Sequence, residues 1–153
     1  MMRVSLVSAA FDPHAALAEF NAGRADHGAM VSFIGACRGA SHGAKVETLE
    51  LQHYPGFTEA EITLLAETIT RKHDLLDLLI LHRVGAMVPG EAIVLVAALS
   101  AHRAAAFKAV EEIMDYLKTD APLWKREIGP GGARWIEPTP DDYARRAKNE
   151  DRT

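Results

Sequence analysis

The sequence has little of what would commit it to several common protein classes. A single cysteine, Cys37, stands in 153 residues, so no internal disulfide can form and no cysteine set for zinc exists. Aromatic residues make up only 7%. No apolar run of about 18 residues occurs, so no membrane span is expected. The opening Met1-Met2-Arg3-Val4-Ser5-Leu6 turns polar too soon for a signal peptide, and the cytoplasm is the default location. Basic excess is missing too. There are 17 Lys and Arg against 21 Asp and Glu, a formal net charge of −4. That argues against a general nucleic-acid binder but leaves room for a local basic site. His53, His73, His82 and His102 are scattered without ligand spacing, so neither a metal nor another cofactor is expected.

What is present reads as an ordinary globular chain, 48% apolar and 25% charged, long enough for one domain with a real core. Strands are expected over 4–8, 28–37, 46–53, 77–85, 92–99, 123–128 and 133–137, from apolar alternation or buried runs. Asp12-Pro13 opens a first helix that Gly23 closes. Thr58 and Glu61 suggest a capping box for a second, with Ile62, Leu65, Ala66 and Ile69 as its buried stripe. Ser100 is expected to cap a third over 101–118, with Phe107, Val110, Met114 and Leu117 inward. Val88-Pro89-Gly90-Glu91 fits a type II turn. The reading is one domain over 1–140 and a charged tail over 141–153, a loose helix or a frayed end. The elements mix without strict βαβ alternation, so the class is α+β, with a largely antiparallel sheet and about three helices.

Three stretches invite chemistry. In "SAHR", His102 and Arg103 occupy a helix start, where the macrodipole favours acids. Exposed N–H groups with Arg and His make an anion site; the bland alternative is two solvated side chains. In "GACRGASHGAK", glycines would let the backbone approach a ligand, and Arg38, His42 and Lys45 bring charge. No P-loop spacing is present, and a flexible surface loop explains the pattern equally well. In "MDYLKTDAPLWKRE", Lys118 falls at a helix end, where any cation is favoured. Lys125 lies on a strand, where a lysine usually faces solvent. Only Thr119-Asp120-Ala121-Pro122 joins the helix end to the strand start, so the two ammonium groups could converge and lower each other's proton affinity. Cys37 beside Arg38 could be a thiolate nucleophile, but a small buried strand residue is the favoured reading. Trp124 and Trp135 are expected in the core or at an interface.

Taken in order, "FIGACRG", "LQHYPGFTE", "HRVGAMVPGE", "SAHRAAAF" and "IMDYLKTDAPLWKRE" resemble the large, catalytic subunit of molybdopterin synthase over about residues 3–137. The resemblance implies an α/β hammerhead-like fold and a transferase of molybdenum cofactor biosynthesis. Such enzymes convert cyclic pyranopterin monophosphate to molybdopterin by installing its dithiolene sulfurs. The sulfur arrives on a small ubiquitin-like subunit whose C-terminal Gly-Gly ends as a thiocarboxylate. Two large subunits are implied at the centre of a heterotetramer, with a small subunit at each outer end. By position, Lys118 and Lys125 match the family's active-site lysines. Arg38, His102 and Arg103 match its substrate pocket, with Phe33 and Met114 as weaker candidates. His42, Lys45 and the segment after Glu137 match no motif. Two rivals stay open: a lysine-dependent acyl or phosphate-ester enzyme acting alone, and a non-catalytic module that binds a partner's C-terminal tail.

Overall fold

The computed structural model describes residues 2–150. Its first sheet has the order β1 (Arg3–Val7), β6 (Asp77–Arg83), β8 (Ala92–Ser100), β2 (Ala29–Ala36). Only the β1–β6 pair is parallel; β6–β8 and β2–β8 are antiparallel. The second sheet is antiparallel throughout, ordered β10 (Gly132–Ile136), β9 (Leu123–Gly129), β5 (Thr48–His53), β7 (Gly85–Met87). The α+β class with mainly antiparallel pairing holds, in two main sheets.

Helices α2 (Phe57–Lys72) and α3 (Arg103–Thr119) cover one face of the first sheet, and α1 (Pro13–Asn21) covers the other. The near-continuous apolar run of β8 follows from this sandwiching. Val94, Val96 and Ala98 face α2 and α3, while Leu95 and Ala97 face α1. A separate cluster of Cys37, Leu49, Leu51 and Met87 lines the inner face of the second sheet. Strand β2 is an edge and is half-exposed, where a buried strand was expected; Met30 and Phe33 are 39% and 40% exposed.

Several local expectations are corrected by the neighbours each residue meets. Thr58 does not cap α2. Gly56, at φ +82°, is the N-cap, and Thr58 lies inside the helix, fully buried. Its Oγ1 accepts from the Tyr54 N–H at 2.8 Å and donates to the Pro122 carbonyl at 2.9 Å. Ser100 ends β8, and His102 is the N-cap of α3. The inward stripe of α3 is Ala106, Ala109, Val110, Ile113 and Leu117; Phe107 points outward, 59% exposed. Residues 38–45 hold a small hairpin, β3 (Ala40–Ser41) with β4 (Ala44–Lys45). His42 and Gly43 turn it with positive φ at both positions, as a tight two-residue turn requires. Trp124 and Trp135 are about half-exposed rather than in the core, and the Arg126 guanidinium lies 5.4 Å from the Trp135 ring centre.

In the charged tail, where a loose helix or a frayed end was expected, Pro140–Glu150 forms a fourth helix, α4, packed on α3. Residues 151–153 lie outside the described part. No described helix is long and apolar enough to cross a membrane.

Candidate active site

The two lysines do meet at one end of the molecule. Lys118 lies in the last turn of α3 and is exposed. Lys125 is on β9, directly opposite Leu51 of β5. Register partners share a face, and Leu51 is 1% exposed in the inner cluster. Lys125 therefore points inward, against the usual habit of a strand lysine. Burial drives its ammonium down to a pKa of about 8, the Lys118 charge pushes the same way, and Asp142 and Glu127 oppose. At neutral pH Lys125 keeps its proton but gives it up far more readily than a surface lysine.

His82 completes the floor. It ends the inward series Leu78, Ile80, His82 on β6 and is 3% exposed. Burial lowers its pKa to about 4, the Arg83 carbonyl at 2.9 Å from Nδ1 opposes, and the nearby Lys125 charge adds to the lowering. The imidazole is thus neutral, with the Nδ1 proton donated to that carbonyl. Sequence reading passed over His82; its period-two spacing from Leu78 and Ile80 was the available signal.

Arg38 is exposed and follows Cys37, whose N–H donates to the Glu91 carbonyl and whose side chain joins the Leu51 cluster. Burial pushes the Cys37 thiol up, with Glu127 and Glu91 adding to it, so this is not an activated nucleophile. Phe33 lies opposite Val96, on the α3 side of β2, and Met114 packs partly buried against that same cluster.

His102 and Arg103 are elsewhere. The 15 residues of helix between Arg103 and Lys118 span about 22 Å at 1.5 Å per residue. Within one chain, then, the "SAHR" cations and the lysine pair form two separate clusters. His102 caps α3 with no side-chain bond of its own, and the first turn holds no acid. The start of that helix remains as anion-friendly as the sequence suggested.

Among the described residues, no carboxylate lies within ion-pair reach of Arg38, Arg103, Lys118 or Lys125. Arg24, Arg83, Arg126, Arg134, Arg145 and Arg146, by contrast, are all paired. Two surface depressions are lined by other residues than this lysine pair, one along Lys45, Glu127 and Arg134, the other along Phe11, His14 and Glu91. What the lysines share is proximity: the exposed Lys118 at the end of α3 lies near enough to the half-buried Lys125 of β9 for its charge to lower the proton affinity of that amine, which makes the spot cationic and partly desolvated. Such a site can hold an anionic group and stabilise charge developing on it.

Known proteins share this sequence and fold. The model of the MoaE protein family matches residues 6–120. The chain is 50% identical over 141 residues to the molybdopterin synthase catalytic subunit of Caulobacter vibrioides, covering 92% of this chain and 93% of that protein. A molybdopterin cofactor biosynthesis protein E from Burkholderia multivorans has the same fold, with TM-score 0.80 and 39% identity, covering 98% of this chain and 97% of that one. A molybdopterin synthase structure from Staphylococcus aureus aligns with TM-score 0.78 and 29% identity, covering 87% and 96%. The chain belongs to the MoaE family, whose curated members here are molybdopterin synthase catalytic subunits.

Proposed function

We propose that this chain is the sulfur-transferring large subunit of molybdopterin synthase, with Lys118 and Lys125 at its reacting centre. The observation that carries the reading is Lys125, a lysine turned into an apolar face beside a second lysine, at the position where the family has its active-site pair. The acceptor is cyclic pyranopterin monophosphate. The donor is the C-terminal thiocarboxylate of a small ubiquitin-like subunit. Both are anions, and a local cationic cluster in an acidic protein attracts them.

Lys118, exposed at the helix end, orients the thiocarboxylate and stabilises the charge that develops as sulfur leaves the tail. Lys125 assists proton movement or substrate binding, and its lowered proton affinity suits either task. Arg38 meets the phosphate or pterin, with Phe33 and Met114 as further pocket residues implied by the sequence resemblance. His102 and Arg103 cannot reach the lysines within one chain. A second copy in a central dimer supplies them, and the unpaired, half-exposed edge β2 supports such pairing. The working assembly is then a heterotetramer in the cytoplasm, a location in keeping with a single reduced cysteine.

Reconstitution tests the reading. The chain, thiocarboxylated small subunit and cyclic pyranopterin monophosphate are mixed and dithiolene product is measured. Product that depends on all three supports the synthase. Tail binding without binding of the phosphorylated pterin would favour the binding module. Turnover of an ester with no sulfur donor would favour the stand-alone hydrolase.

A further inference from the structure

The matched family region ends at residue 120, yet α4 returns to pack on α3. Four contacts fix it. The Asn149 side-chain amide donates to Asp115 at 3.1 Å, and the Lys72 ammonium donates to the Asn149 carbonyl at 3.4 Å. Arg146 pairs with Asp120 at 2.8 Å and lies 6.0 Å from the Tyr116 ring centre. Asp115 and Asn149 are both buried, so this is a packed helix–helix seam.

The seam carries Asp142 to the lysines. Arg145 donates to Asp142 Oδ1 at 2.6 Å while its Nε lies 3.7 Å from Asp115. One guanidinium thus spans both carboxylates. Asp115 is three residues before Lys118 on α3, so the two side chains are neighbours on one helix face. Asp142, 13% exposed in its side chain, is thereby brought to the side of α3 that carries Lys118 and feels its charge. Two acids share one arginine here, leaving a surplus negative charge. Glu127, the other acid near Lys125, is matched one-to-one by Arg134 at 3.1 Å.

We propose that α4 is part of the active site and that Asp142, held by Arg145 beyond ion-pair distance from the lysines, is a positioning residue whose charge offsets the mutual repulsion of Lys118 and Lys125. The proposal rests on the role of the lysines given above and deepens it. Burial pushes the Asp142 carboxyl up, but hydrogen bonds from Thr139, the Arg145 guanidinium and the Lys118 charge outweigh it and hold it below the usual range. The charged groups felt by Lys125 are Lys118 on α3, Asp142 on α4 and Glu127 on its own strand; the nearby His82 on β6 is neutral.

Asp142 also serves α4 itself. Its Oδ2 accepts from the Thr139 N–H at 2.8 Å and its own N–H donates to Thr139 Oγ1 at 3.1 Å, a reciprocal capping box. The test must separate charge from cap. Asp142→Asn keeps an oxygen for the Thr139 N–H and deletes the charge. Thr139→Ala weakens the cap and keeps the charge. Arg145→Met keeps both and frees the Asp142 charge.

The Lys125 amine is titrated by nitrogen-15 NMR in each full-length protein, and the pH profile of single-turnover sulfur transfer is recorded alongside. Asp142→Asn should move the Lys125 titration down by about one unit, the scale of a lost neighbouring charge. The matching limb of the profile should shift with it. Arg145→Met should move both upward, and Thr139→Ala should move neither. An unmoved Lys125 titration in Asp142→Asn and Arg145→Met, or an equal shift in Thr139→Ala, overturns the proposal. The NMR arm does not depend on turnover. A chain that makes no product would sink the functional reading while the titration still decides the role of Asp142.

Discussion

Lys125 stands directly across from Leu51 in the antiparallel pairing of β9 and β5, so a lysine shares one face with a leucine that is 1% exposed. The ammonium is held where its solvation is poorest. Energy is stored in that placement, and it has consequences for stability and for chemistry.

Lys125→Met should therefore remove activity without unfolding the protein. The folded-state pKa is about 8 against an ordinary 10.5. Below pH 8 both states hold the proton and the cost of charging the buried amine is fully present. It fades as pH rises from 8 to 10.5. The variant should unfold at higher denaturant than wild type at pH 7, by about 1–3 kcal/mol, with the gain vanishing near pH 10.5. Equal or lower stability at pH 7 would mean that Lys125 is well solvated.

His82 imposes a similar cost on the acid side. Its folded pKa is about 4 against 6.5 unfolded. Between those values the unfolded chain takes up a proton that the native state refuses, so stability falls as pH drops through the window. His82→Leu should flatten this limb. Urea unfolding at pH 7 and pH 5 should show about 2 kcal/mol less acid loss in the variant than in wild type.

The "SAHR" and "WKRE" motifs were legible as cationic, and β8, the Val88–Glu91 turn and the α1 cap at Asp12 could be read from local pattern. What local pattern could not supply was the partner of each element. Lys125 faces inward only because β9 pairs with β5 in a register that sets it opposite Leu51. Thr58 looked like a cap because its spacing to Glu61 is correct, but the carbonyl of Pro122, 64 residues away, takes its hydroxyl. The separation of His102 and Arg103 from the lysines within one chain follows from the length of α3, a distance that motif matching does not measure. The residues after Glu137 matched no motif, although Thr139 and Asp142 have capping-box spacing.

Thr58 ties the entry of α2 to the connection between the two lysines. Thr58→Val keeps the shape and strands the Tyr54 N–H and the Pro122 carbonyl. It should cost about 2 kcal/mol in chemical denaturation. A change below a few tenths would mean that both groups find other partners.

Cys37 is buried in the apolar cluster with its thiol held protonated. Cys37→Ser should lose about 1–2 kcal/mol of stability, from a buried hydroxyl, and keep its full sulfur-transfer rate. A folded Cys37→Ser protein without activity would contradict a route in which sulfur comes only from the partner's tail.

The most direct measurement is single-turnover conversion of cyclic pyranopterin monophosphate with thiocarboxylated small subunit, comparing wild type with Lys118→Ala. Wild type should form the dithiolene product. Lys118→Ala should bind the partner normally and form none. Normal turnover by Lys118→Ala would make this lysine an ordinary helix-end charge and contradict the central claim.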